Sequence, residues 1–308
     1  MQKSRNGLLE IYRIFLCFWA MYAHNFFFFK DNHGAFPDAP LTVDFFFVIS
    51  GFFLISSMQK LRNEKPLIGA WKLMLSRLKP ISFSMFFAVA FNAVCMILFI
   101  RADYINVLFT NFCYWWYILY LVIGIAIFYL VFRLIKKRFA YAVFLAVLIV
   151  CMGVFHYVME IGIFDIYPLP YVARTFACIA VGALCSYIPK WKPKKFNYND
   201  LFVAVLIPTI FYLTYIPKEY WLRIDLIVLF ATLVYFSTNV NVGGKFFDII
   251  GKLSSRMYVY MAFISMICVL GTTNHRFLFI VDLFIAVLDL LFSTYYKKYK
   301  VLQKNLTI

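Results

Sequence analysis

Charge is what this sequence lacks. Only 14% of its 308 residues are Asp, Glu, Lys or Arg, against roughly a quarter in a soluble globular chain. Acidic residues are scarcest, 14 against 30 basic ones. No stretch remains for a separate soluble domain once the apolar runs are marked, so the reading is one membrane domain over residues 1–308. The seven cysteines, at 17, 95, 113, 151, 178, 185 and 268, show no CxxC or metal-ligand spacing, which favours buried small hydrophobes over a metal or disulfide framework. No internal repeat is present, nor the inverted pair of Gly/Pro-broken helices that marks many secondary transporters.

What is there instead is apolar bulk: 64% hydrophobic and 21% aromatic. Runs of spanning length, about 17 to 25 residues, fall at 8–29, 41–58, 80–100, 115–135, 139–156, 171–188, 200–216, 220–236, 256–271 and 277–295. The expected fold is therefore all-α, a polytopic membrane protein of about ten transmembrane helices. The run from Leu8 is too long for a signal-peptide core and has no small-residue cleavage site after it, so it is expected to stay as a span.

The net charge of +16 points to topology rather than to nucleic acid. With both termini cytoplasmic, 23 basic residues fall on the inner side and five on the outer: Lys30, Arg101, Lys218, Arg223 and Arg276. A missed or extra helix would scramble that bias for every later loop. The aromatic group "YWWY" at 114–117 reads as an interfacial belt or as a sugar-stacking platform.

The informative residues are the polar ones inside apolar runs. In "LLEIYRIFLCFWAMYAH" at 8–24, Arg13 and His24 are eleven residues apart, about three turns plus 20°, with a rise of about 16 Å. They share one stripe with Glu10 and Cys17. An arginine at mid-helix costs roughly 2.5 kcal/mol or more unless it is shielded or paired. Arg13 reads as snorkelling and paired with Glu10, or as functional; His24 reads as a satisfied core histidine, or as a base. "VDFFFVISGFFL" at 43–54 brings Asp44 to an outer helix end, where it could orient a histidine of similar depth, and Ser50–Gly51 to mid-depth, where small residues allow close packing. Asp282 and Asp289 lie on one face of the last run, where they could pair with Arg174, bind a substrate or relay protons.

These two stretches resemble the first and second signatures of the membrane-bound acyltransferase-3 family, Glu-x-x-Arg with a histidine after ten further residues, and an Asp–Phe–Phe run ending in Ser–Gly–Phe. "SRLKPISF" at 76–83 is similar to the family's basic Arg-x-x-Pro entry to the third span, and "IGKLSSRMYVYM" at 250–261 to its late Gly-x-x-Ser…Tyr segment. The four pieces come in family order. The chain departs from the pattern at Met74, where a second arginine is usual, with Lys72 nearby, and at Met261, where the late segment often has histidine.

The resemblance implies a bacterial plasma-membrane O-acyltransferase that moves an acyl group, commonly acetyl, from cytosolic acyl-CoA to a hydroxyl of a surface polysaccharide or lipid-linked glycan. It implies no metal. It makes His24 the general base or covalent acyl carrier, oriented by Asp44, with Glu10, Ser50 and Gly51 in support. Arg13, Lys72, Arg77 and Lys79 would hold the polyanionic donor, and Arg174, Asp282 and Asp289 could contact the acceptor. No extra periplasmic esterase-like domain is expected, which implies direct transfer. A transporter or flippase of a glycan-related substrate is the alternative from another class.

Overall fold

The computed structural model describes residues 6–27, 40–95, 116–135, 139–160, 169–189, 194–195, 197, 222–268 and 275–306. In that part the chain is helical almost throughout. In chain order the helices are α1 (Gly7–Phe27), α2 (Pro40–Lys60), α3 (Pro66–Leu78), α4 (Ser82–Cys95), α5 (Trp116–Leu134), α6 (Ala140–Glu160) and α7 (Leu169–Cys185). Then follow α8 (Leu222–Thr238), α9 (Lys245–Cys268) and α10 (His275–Leu306), with β1 (Lys194–Lys195) pairing in parallel with β2 (Val240–Asn241).

Nine of the ten predicted runs fall on these helices; the run at 200–216 lies outside the described residues. Among the described residues two windows suffice by length and composition to cross a membrane, Val43–Lys60 and Tyr117–Leu134, and a third if α3 and the start of α4, bent by 60°, are counted as one span. Helices α1 and α10 carry charged side chains within their apolar runs, and the apolar windows Ala140–Phe155, Tyr171–Cys185 and Ile227–Thr238 are shorter. Among the described residues the new helix is α3. Residues 59–79 read as a cytoplasmic loop because no spanning run is present, whereas Pro66 opens a 13-residue helix there, the position at which proline's fixed φ favours a helix start.

Packing sets the relative directions of the helices. Gly7 meets Phe247 and Arg13 meets Ser255, so α1 and α9 run parallel. Asp44 meets Arg174 and Gly51 meets Ile179, so α2 and α7 run parallel; Phe47–Tyr117 and Leu61–Tyr129 do the same for α2 and α5. Helix α10 is antiparallel to α9 through Tyr260–Asp289 and Arg256–Ser293, and α6 is antiparallel to α7 through Phe155–Ala173 and Tyr141–Tyr187.

The α2–α7 contact is the tightest. A Cβ at Gly51 would overlap the Ile179 carbonyl, and one at Gly182 would overlap the Val48 carbonyl. Each glycine admits the other helix's backbone, the close approach that small residues permit. Gly51 thus has a packing role, and Ser50 is buried beside it.

Candidate functional site

The site is built from the N-terminal end of α1. Asn6 caps the helix, its Oδ1 accepting from the backbone N–H of Leu8 (3.1 Å) and Leu9 (3.2 Å), which satisfies donors that every helix start leaves open. Its Nδ2 donates to the Ser237 and Val240 carbonyls, and Gly7 N donates to Val242 O. These bonds clamp α1 to the end of α8 and to β2, so the next turns are held in place.

One turn on, Arg13 Nη1 donates to both Glu10 oxygens, at 3.1 and 2.8 Å, and Nη2 donates to Ser255 Oγ at 2.9 Å. The i,i+3 pairing expected from the sequence is present, and it is not a surface pair: the Glu10 side chain is 7% exposed and that of Arg13 21%. Cys17 Sγ donates to the Ser254 carbonyl at 3.2 Å. From α3, Arg77 comes within electrostatic reach of Arg13. Its Nε is buried and has no hydrogen-bond partner among the described residues. Two guanidinium groups thus lie within electrostatic reach of each other, with Glu10 bonded to one of them.

The expected basic group of Lys72, Arg77 and Lys79 does not form one cluster. At about 100° per residue, Lys72 and Lys79 sit roughly 140° and 160° around α3 from Arg77. Both are exposed, and Lys72 Nζ meets Glu64 Oε1 at 2.6 Å. Arg77 alone is turned inward. Arg133 of α5 braces the α2–α3 turn by donating to the Arg62 and Glu64 carbonyls.

Asp44 is fully buried and holds Arg174 in a two-point bond, Nε to Oδ1 at 2.7 Å and Nη2 to Oδ2 at 2.9 Å. Arg174, 4% exposed, therefore pairs with Asp44. The Tyr12 and Phe45 rings, 6.1 Å apart, put the start of α2 beside the Arg13 end of α1. Along an ideal helix His24 is about 16 Å further on. The backbone of His24 belongs to α1, and its side chain lies outside the described residues.

Asp289 joins a second buried polar group that sequence reasoning did not assemble. Ser84 Oγ (2.5 Å) and Tyr260 Oη (3.0 Å) donate to its Oδ2, and Arg256 Nε lies 3.2 Å away. Arg256 also donates to Ser293 Oγ and to the Lys252 carbonyl. Asp282, seven residues earlier on α10, is fully buried. Ser84, Arg256 and Tyr260 stand in or beside the third and late signature segments, and no spacing rule links them to Asp289.

Of the aromatic group at 114–117, Tyr117 is buried, its ring 4.1 Å from that of Tyr258 and packed on Phe46 and Phe47. It is an interior residue rather than part of a belt; 114–115 lie outside the described residues. Among the described residues no group of three His, Cys, Asp or Glu side chains could hold a metal ion.

Fold and site together define an all-α protein with helices long and apolar enough to cross a membrane and polar groups buried among them. Comparison with protein-family models, with characterised proteins and with solved structures finds no match.

Proposed function

We propose that this chain is a membrane O-acyltransferase of the acyltransferase-3 type, transferring an acyl group, acetyl in the simplest case, from cytosolic acyl-CoA to a hydroxyl of a surface polysaccharide or lipid-linked glycan. The reading includes ten spans in a bacterial plasma membrane with both termini inside. The directions of α1 with α9, α2 with α7 and α5, α9 with α10 and α6 with α7 support it, since these are the relations that ten alternating spans require, while the Tyr12–Phe45 contact, near the start of both α1 and α2, does not follow that alternation.

One observation carries the reading. The four segments behind the resemblance are far apart in sequence yet meet in space: Arg13 and Cys17 of the first bond to Ser255 and Ser254 of the last. Phe46 of the second packs on Tyr258 of the last, and Arg77 of the third comes within electrostatic reach of Arg13. Resemblances that arose by chance would have no reason to converge.

In this account Arg13 and Arg77 receive the donor's phosphates, which a guanidinium pair suits by planar, multidentate hydrogen bonding. The acyl thioester extends along the stripe towards His24. There a neutral imidazole takes the acceptor's O–H proton as the oxygen attacks the thioester carbonyl. The C–S bond then breaks, and the imidazolium returns its proton to the departing thiolate. A covalent acyl-imidazole is the variant of the same route. Asp44, already bound to Arg174, serves the helix scaffold, and Lys72 and Lys79 are removed from the phosphate contacts. The buried Asp289–Arg256 group is the observation that favours a transporter instead.

Surface-glycan O-acetylation, read by NMR in cells carrying the native protein or His24→Ala at matched membrane expression, separates the two. The acyltransferase reading expects an acetyl signal that the variant loses. A native protein without the signal supports transport.

A further inference from the structure

Helix α3 has three arcs. At about 100° per residue, Leu67, Trp71, Leu75 and Ile68 fill one arc of roughly 100°, and they are exposed by 74, 60, 43 and 45%. Lys79 and Lys72 border that arc, and Lys65 caps the helix start; all three are exposed. The remaining arc, with Gly69, Ala70 and Leu73, is buried, and Arg77 lies on it. Gly69 fixes this orientation, because a Cβ there would overlap the Tyr129 hydroxyl, which donates to the Leu61 carbonyl. The apolar arc is thus locked outward. It continues into exposed Phe83, Phe86 and Phe87 of α4 and Phe292 of α10, with the Phe83 and Phe292 rings stacked at 6.1 Å.

We propose that α3 is a membrane-surface helix that docks on anionic phospholipid, its Leu67–Ile68–Trp71–Leu75 face in the acyl boundary and Lys65, Lys72 and Lys79 at the phosphate level. An apolar face edged by lysines is what in-plane helices present to a charged leaflet. Between 60 and 79 the chain carries six basic residues and one acidic residue, Glu64. The exposed Lys72–Glu64 pair is of the kind worth about 1 kcal/mol or less, so a lipid phosphate can compete for Lys72. The inference does not rest on acyl transfer.

The test uses the full chain in vesicles, with five of its six tryptophans changed to Phe and Trp71 retained. Lipids brominated in the acyl chains, phosphatidylcholine or phosphatidylglycerol at equal mole fraction, quench a tryptophan that touches them. The expected result is quenching by both, about twofold or more stronger with brominated phosphatidylglycerol, and equal quenching once Lys65, Lys72 and Lys79 are all Gln. Trp71→Phe in the otherwise native chain should remove a lipid-quenched component, which covers the case in which the five-fold variant does not fold. Quenching of Trp71 by aqueous iodide without effect from brominated lipid would overturn the proposal, as would resistance to both quenchers, the mark of a protein partner. Equal quenching by the two lipids in the native-lysine chain would overturn the anionic preference.

Discussion

Asp44–Arg174 and Arg13–Arg77 are both arrangements of charge among apolar helices, and they are built in opposite ways. At Asp44 a carboxylate and a guanidinium, 0 and 4% exposed, are joined by two bonds between glycine-stitched helices. At Arg13 the balance is left open, with two guanidiniums, Glu10, partial exposure and a buried Arg77 Nε without a hydrogen bond among the described residues. Burial of charge therefore does not by itself mark function. A closed pair holds helices together, whereas surplus charge with unmet donors invites an anion.

The largest effect that would break this comparison is on folding. Asp44→Ala or Arg174→Ala leaves its partner charged and buried, a loss of about 3–5 kcal/mol, so a thermal-stability assay in detergent should show little folded protein. The same assay should show the double variant better folded than either single one. Gly51→Val comes next: its side chain must push the Ile179 backbone away, and overpacking of this kind costs about 1–3 kcal/mol. The contrast sharpens at the open site. Arg77→Ala should leave thermal stability near the native value while weakening acetyl-CoA binding about tenfold or more, from loss of hydrogen bonds to charged groups worth roughly 1.5–3 kcal/mol. Smallest is Lys72→Ala, exposed and paired with Glu64, with a stability change of about 0–1 kcal/mol and unchanged acetyl-CoA binding by titration.

The helices were legible because spanning-length apolar runs and the Glu10–Arg13 spacing are local signals, and both reappear in the structure. What the sequence hid was pairing at a distance. Arg174 finds Asp44 across 130 residues and Ser84 finds Asp289 across 205, and neither separation obeys a period that a single chain displays. Asp44 sits at a helix end in either view, but only the packing of Phe45 on Tyr12 reveals that it enters beside Arg13. Helix α3 was missed for another reason. At 13 residues it is too short to cross a bilayer by itself, although Pro66 and the Leu67–Trp71–Leu75 period carry the signal of a helix. That period also turns Arg77 away from Lys72 and Lys79, which adjacency in the sequence had grouped together.

The most direct measurement is acetyl-CoA affinity of the purified protein, titrated for the native chain, Arg77→Ala and Lys72→Ala. The account predicts binding by the native chain, unchanged in Lys72→Ala and at least about tenfold weaker in Arg77→Ala at unchanged thermal stability. No binding by the folded native chain, or equal affinity in Arg77→Ala, would contradict it.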